Sequence, residues 1–293
     1  MLSWQSSQDG LSKQVGQHES ISPSHRNMTS IYSMRASVAC RLPLLTTGTS
    51  LRAARRLTAA PRAAAFDVDN SSILVAGGGG VALEVTRKLK DMGAWVWQLQ
   101  RTDVRRKEIE SMMAIVVNGD ACKPEDIERA FAAIDGVDAV ISTIGGTTAD
   151  PSADSEARSS AGNINLIEAA VKHGVKKFVL VTSIGTGDSK GAPPPHVYEV
   201  LKPVLLEKER AEDRLREVGG KLTFVIVRPG GLKSEPATGT GVLTEDTTVC
   251  GSITRADVAE LVVKALRSDK ANGKVLSAVD AAAVQDDFEV FII

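Results

Sequence analysis

The sequence predicts an α/β fold, a single domain built on a doubly wound parallel sheet, and three observations carry that reading. From Ser72 onward, short Val- and Ile-rich runs alternate with longer amphipathic segments, the pattern of βαβ units. The first apolar run, Ile73-Leu74-Val75-Ala76, breaks into four consecutive glycines, Gly77 to Gly80, before Val81-Ala82 opens a segment of helical periodicity. The loops rich in Gly, Thr and Ser, at 144–154, 184–195 and 230–251, each follow an expected strand. In an open parallel sheet these are the carboxyl ends, where ligands bind.

The residues ahead of the first strand differ in kind. Between Ser20 and Phe66 there is no Asp or Glu, yet Arg26, Arg35, Arg41, Arg52, Arg55, Arg56 and Arg62 all fall there. An Arg-, Ser- and Ala-rich, acid-free N-terminus has the composition of an organelle presequence, so residues 1–66 are assigned to targeting and 67–293 to the folded domain, with cleavage expected near Arg62 to Ala65. Leu51 to Ala65 has the basic amphipathic character of a mitochondrial presequence, whereas Ser37-Val38-Ala39-Cys40 and the hydroxyl-rich stretch before it suit a plastid transit peptide. The chloroplast, stroma or thylakoid-associated, is the expected location and the mitochondrion the alternative.

Without those residues the body holds 27 basic against 34 acidic side chains, a balance that argues against a general nucleic-acid or anionic-membrane surface. The remaining length of about 227 residues suits one domain. Cys122 and Cys250 form neither a disulfide framework nor a zinc spacing. No apolar run approaches the roughly 20 residues needed to cross a bilayer, so no transmembrane segment is expected, and peripheral membrane contact stays open.

Strands are expected at 72–76, 94–100, 114–118, 138–143, 177–182, 222–227 and 274–278, and helices at 81–92, 104–111, 124–133, 155–173, 197–218 and 255–268. Thr254-x-x-Asp257 reads as a capping box for the last helix, and Gly93 and Gly174 stand where helix C-caps belong.

The glycines carry the chemistry. Bare N–H groups at a helix N-terminus, with no Cβ in the way, hold a pyrophosphate closely while the helix dipole favours its charge. Gly77-x-Gly79-x-x-Ala82 fits the dinucleotide fingerprint of a Rossmann-like sheet, with Gly77, Gly78, Gly79, Gly80, Val81 and Ala82 as cofactor contacts. The second strand ends Gln98-Leu99-Gln100-Arg101-Thr102 without the acid that would accept from the adenosine ribose. Arg101, with Arg105 or Arg106, offers guanidinium donors to a 2′-phosphate instead, so NADP(H) is favoured over NAD(H). After the third strand, Asp120 and Ala121 face the adenine, or Asp120 merely caps a helix. After the fourth, Thr143, Ile144, Gly145 and Gly146 leave room for the cofactor against the backbone. Pro229 and Gly230 close the sixth.

At these residues the chain resembles the atypical, NmrA-like NAD(P)-binding branch of the short-chain dehydrogenase/reductase superfamily, in a plastid-type member. The resemblance covers residues 72–280 and rests on the ordered set VAGGGG, NGDACKPEDI, GNINLIEAAVKHGVKKFVLVTS, KERAE, FVIVRPGGL and ITRADVAELVVKAL. The family turn reads Gly-x-x-Gly-x-x-Gly, and here Leu83 falls in the last place, so a turn one residue shorter puts Ala82 in the third role. The resemblance also implies a Tyr and Lys four residues apart, with a Ser upstream. One register makes Ser183, Tyr198 and Lys202 that set. The other counts from Glu212 of KERAE, takes Lys208 as the ribose-contacting lysine and finds Val204 in the tyrosine place. Pro203 predicts a kink or separate turn around Tyr198 and Lys202. Tyr32 and Tyr198 are the chain's two tyrosines, so a tyrosine acid in the folded domain is Tyr198.

Asn163 and Asn165 are expected to bond neighbouring loops, His173 to end a helix, and Pro193-Pro194-Pro195 to stiffen a lid. The segment at 230–251 is flexible in composition, and the resemblance implies that it covers the substrate. Two functions follow as expectations. One is an NADPH-dependent oxidoreductase passing hydride to a small carbonyl, quinone, flavin or conjugated substrate. The other is a non-catalytic NADP(H)-binding scaffold, assembly factor or redox-sensing regulator.

Overall fold

Alternation within a single strand sets the layering. The computed structural model describes residues 66–145, 153–284 and 287–293, with the side chains of 153–158 excepted. Residues 1–65 of the expected presequence, its cleavage region included, lie outside them, as does Gly146. Strand β1 (Ser72–Ala76) sends Ile73 and Val75 to one face and Leu74 and Ala76 to the other, and all four are fully buried. A strand buried on both faces reads as a continuous apolar run, which is how this one reads in the sequence.

The elements follow as α1 (Gly80–Asp91), β2 (Trp95–Gln100), α2 (Arg106–Ser111), β3 (Ile115–Asn118), α3 (Pro124–Ala132), β4 (Ala139–Ser142), α4 (Ala153–Lys172) and β5 (Lys177–Val181). After these come α5 (Pro195–Glu217), β6 (Thr223–Pro229), β7 (Gly231–Lys233), β8 (Gly241–Thr244), β9 (Ser252–Thr254), α6 (Arg255–Arg267) and β10 (Val275–Asp280). The main sheet runs β3-β2-β1-β4-β5-β6-β10-β8. Helices α1, α2 and α6 cover the face of Ile73 and Val75, while α3, α4 and α5 cover that of Leu74 and Ala76. The strand order steps outward from β1 to β2 and β3 on one side and, after the crossover from β3, resumes with β4 on the other side of β1, which opens a crevice at the carboxyl ends of β1 and β4.

The doubly wound parallel sheet is present from β3 to β10; β8 adds an antiparallel edge strand that buries Leu243 and covers β10, and β7 and β9 form a separate two-stranded sheet. Two other expectations are corrected. The segment 230–251 therefore contains β7 and β8 rather than being a loop throughout. Pro203 neither kinks α5 into two pieces nor starts a separate turn; it lies inside one continuous helix. It sits on the exposed side, where water reaches the carbonyl that its missing amide leaves unbonded.

The helix ends follow local chemistry. Gly93 and Gly174 take φ of +85° and +69°, the left-handed region in which helices terminate. Thr254 caps α6, its Oγ1 accepting from the Asp257 amide at 3.1 Å. The Asp257 carboxylate does not complete the reciprocal half of a capping box. It accepts from Thr254 Oγ1 at 2.7 Å, Thr238 N at 2.8 Å and Gly239 N at 3.0 Å, tying the segment between β7 and β8 to α6. Burial alone would raise this carboxyl, and those donors outweigh it, leaving Asp257 below its ordinary range.

One ion pair crosses the apolar interface between sheet and helix. Arg228 in β6 and Glu212 in α5 are both 0% exposed. Arg228 donates from Nε to Glu212 Oε1 at 3.0 Å and from Nη2 to Oε2 at 2.6 Å. Thr182 Oγ1 donates to the same carboxylate at 2.7 Å and Arg216 Nη2 at 2.9 Å, and Asp188 accepts from the other side of the Arg228 guanidinium. A guanidinium cannot shed its charge, so Glu212→Leu leaves the buried Nε and Nη2 donors of Arg228 unmatched, with Asp188 as its remaining counter-ion. The expected cost is about 3–5 kcal/mol in urea-unfolding free energy; a loss below about 1 kcal/mol would contradict the network's role.

Candidate functional site

The glycine turn connects β1 to α1 under two constraints. Gly77 has φ +134°, and a Cβ there would lie 2.3 Å from Thr143 Oγ1, so the first position admits glycine on both conformation and space. Its carbonyl accepts from Gln100 Nε2 at 2.7 Å and Gln98 Nε2 at 3.2 Å, and Gln98 Oε1 accepts from Thr86 Oγ1 at 3.1 Å. Two amide side chains of β2 thus brace the turn. Gly79 caps α1 with an extended backbone and no side-chain bond, and the first helical turn contains no acid. A Cβ on Gly79 would meet nothing within 4 Å. The N-terminal amides of α1 therefore face an anion-receptive opening.

That opening is a cavity of about 840 Å³ at the carboxyl ends of the strands. Of the residues singled out in the sequence, Gly77, Gly78, Gly79, Gly80, Val81, Arg101, Asp120, Ala121, Thr143, Ile144, Gly145, Lys208 and Pro229 line it. Ala82 lies behind the turn, 0% exposed, in the core shared with α6. Gly230 faces the other sheet, where a Cβ would come 2.2 Å from Gly251 O.

The two catalytic registers separate in space. Ser183, Tyr198 and Lys202 are absent from the lining. Ser183 Oγ donates to the Ile184 carbonyl at 3.1 Å, and Lys202 is exposed, 3.6 Å from Glu199. Lys208, on the same helix, lines the cavity, its Nζ 3.0 Å from where a Cβ on Gly145 would stand. Burial pulls the Lys208 ammonium down to about 8, with the Glu212 charge partly opposing the shift.

The arginines also sort themselves. Arg106 spends its guanidinium on Asp103 at 2.7 Å, Glu110 at 3.0 Å and Asn118 at 3.0 Å, away from the cavity. Arg105 lines the cavity with Glu108 3.8 Å from it. Arg101 lines it exposed, and among the described residues no carboxylate pairs with it. Asp120 Oδ1 accepts from Cys122 N at 3.1 Å, so its carboxylate shapes its own loop while lining the cavity. Asn163 bonds the Ile144 and Ser159 carbonyls and Asn165 the Ala121 carbonyl, holding the loops after β3 and β4 to α4. His173 stacks on Phe131 and contacts Glu128.

Sequence reasoning missed Gln98, Gln100, Ser159 and Arg255. Two glutamines spaced by two on one face of an apolar strand were the signal for the first pair. Ser159 is 2% exposed, lines the cavity, and its hydroxyl has no partner among the described residues. A dinucleotide suits these features: a glycine floor whose open position faces the cavity, uncapped helix amides, and a buried hydroxyl left unmatched. Among the described residues no group of His, Cys, Asp and Glu is placed to hold a metal ion, and no helix is long and apolar enough to cross a membrane.

Fold and cavity together define a Rossmann-fold dinucleotide-binding protein. The family described as NAD(P)H-binding matches residues 77–269, and the chain belongs to it. A Bacillus subtilis protein named "Uncharacterized sugar epimerase YhfK" is 33% identical over 172 residues, 57% of this chain and 75% of that one. "Uncharacterized protein At2g34460, chloroplastic" of Arabidopsis thaliana is 40% identical over 126 residues, 41% of this chain. The chain spans 44% of that relative's length. Among solved structures, ChuY, an anaerobillin reductase from Escherichia coli O157:H7, superposes with a TM-score of 0.63 at 26% identity, covering 74% of this chain and 100% of ChuY. The chain thus has an NAD(P)-binding fold related to that of epimerase and reductase enzymes.

Gly77→Ala is expected to lower the melting temperature and remove NAD(P)H binding together, since the added Cβ meets Thr143 and the backbone needs positive φ. Unchanged binding by calorimetry would show that the turn is not under this constraint.

Proposed function

We propose that this chain is a plastid NADP(H)-dependent oxidoreductase passing hydride to a small acceptor with a carbonyl, quinone, flavin or conjugated system. The observation that supports it most is the placement of Arg101 and Lys208 on either side of one glycine-floored cavity. Arg101 follows β2 and Lys208 faces Gly145, just after β4, and β1 with its glycine turn lies between those strands. In this reading Gly77 to Val81 and the α1 amides hold the pyrophosphate, Ala82 seats the helix, and Arg101 takes the 2′-phosphate. Asp120 and Ala121 meet the adenine, while Thr143, Ile144, Gly145 and Pro229 border the nicotinamide half. NADPH bound there supplies a hydride and leaves as NADP⁺, and the acceptor takes up one proton.

Lys208 donates from Nζ to the nicotinamide ribose. With no tyrosine among the lining residues, acceptors that draw their proton from water, as flavins and quinones do, suit the site best. The acid-free stretch from Ser20 to Phe66 and the relative named chloroplastic support a plastid location. The missing tyrosine also favours a second reading, a non-catalytic NADP(H)-binding scaffold, assembly factor or redox-sensing regulator; tight NADPH binding without turnover of quinones, flavins or carbonyls would select it.

Wild-type protein is expected to bind NADPH more tightly than NADH, and Arg101→Ala to erode that preference by about tenfold or more, the value of a charge-assisted hydrogen bond. A preference unmoved by the substitution would remove Arg101 from the site.

Lys208 loses its charge as pH rises through about 8, so turnover is expected to fall above that pH in the wild type and to hold in Lys208→Arg, which stays charged. Tyr198→Phe is expected to leave turnover within twofold. A collapse in that variant would restore the other register.

A further inference from the structure

We propose that Arg255 is a ligand of the dinucleotide's pyrophosphate, laid across the glycine turn from the start of α6; this rests on reading the cavity as a NAD(P)(H) site. Arg255 Cδ lies 2.7 Å from where a Cβ on Gly80 would be, and Nε 3.4 Å. The stem of the side chain rests on the turn's backbone, and glycine at position 80 leaves it the space. The family turn Gly-x-x-Gly-x-x-Gly counted from Gly77 places its second glycine at position 80, and the contact shows what that missing side chain leaves room for.

Arg255 is half-buried as a residue and lines the cavity, and its Nη1 donates to Ser234 Oγ at 2.7 Å. Among the described residues no carboxylate pairs with it, although α6 carries acids of its own: Glu260 pairs with Lys88 and Lys264, and Asp257 is occupied by Thr254, Thr238 and Gly239. A guanidinium without a counter-ion, in a body with an acidic excess and next to uncapped helix amides, is matched to an anion at the turn. In a bound dinucleotide that anion is the pyrophosphate, whereas the 2′-phosphate lies off the end of β2, where Arg101 stands. With one N–H on Ser234, the remaining donors can reach phosphate oxygens in the planar geometry that favours them. Ser234 belongs to the segment that Asp257 holds through Thr238 and Gly239, so the same residue joins the phosphate site to the segment between β7 and β8.

Because both dinucleotides carry the pyrophosphate, the assignment has a signature distinct from that of Arg101. The test is calorimetric titration of the full chain with NADPH and with NADH, at several salt concentrations, for wild type, Arg255→Gln and Arg255→Lys. Arg255→Gln is expected to weaken both ligands about tenfold to hundredfold, to leave their ratio unchanged and to flatten the salt dependence of log Kd. Arg255→Lys, which keeps the charge, is expected to recover part of the loss for both. Wild-type protein that binds neither dinucleotide would defeat the reading of the cavity. Wild-type binding with Arg255→Gln equally tight, or weakened at an unaltered salt slope, would defeat the role of Arg255 alone. A loss confined to NADPH would move Arg255 to the 2′-phosphate and overturn the proposal.

Discussion

The cavity's geometry depends on the buried pairing of Arg228 with Glu212. Two charges removed from water between a sheet and a helix are tolerated only when each satisfies the other and the remaining lone pairs and N–H groups are also matched. Here Thr182, Arg216 and Asp188 supply those partners. Because Thr182 follows β5 and Arg228 lies in β6, the same carboxylate holds the ends of two adjacent strands to one turn of α5. Glu212 then fixes the helix's rotation, and Lys208, one turn earlier on the same face, is directed into the cavity. The Glu212 charge also limits how far burial depresses the Lys208 ammonium.

The second fixed point is the turn after β1. Its position comes from the sheet, with Thr143 above β4 meeting Gly77 and two glutamines of β2 gripping the Gly77 carbonyl. Three neighbouring strands therefore set one peptide. On the far side, Arg255 and the buried Ala82 join the turn to α6. One end of the cavity, proposed to take the phosphates, is thus built from β1, β2, β4 and α6, and the other, proposed to take the nicotinamide, from β4, β5, β6 and α5.

Much of this is written locally in the chain. The strands from β1 to β6 and β10 announce themselves as Val/Ile runs, and Gly93, Gly174 and Thr254 mark helix ends that backbone conformation and capping confirm. What local reading could not supply were matters of rotation and partner choice. Tyr198 and Lys202 share a helical face as their spacing requires, but Lys202 stands about 120° around the helix from Lys208, and the packing of Leu205, Ala211 and Leu215 decides which face turns inward. The residues of β8 lie within a stretch rich in Gly, Thr and Ser that reads as loop, and its antiparallel partner is distant in sequence. Pro203 suggested a break because propensity ignores exposure. Arg228, a lone charge in Phe-Val-Ile-Val-Arg-Pro, does not read as a buried ion pair in the sequence, because its partner Glu212 emerges only once α5 is laid on β6.

The most direct measurement of this account is a crystal structure of the protein with NADP⁺ bound. The arrangement described here predicts Lys208 Nζ within hydrogen-bonding distance of the nicotinamide ribose hydroxyls, with the Arg228–Glu212 pair intact behind it and Tyr198 and Lys202 outside the site. A bound cofactor whose ribose is held by Lys202, with Tyr198 facing the nicotinamide, would contradict it.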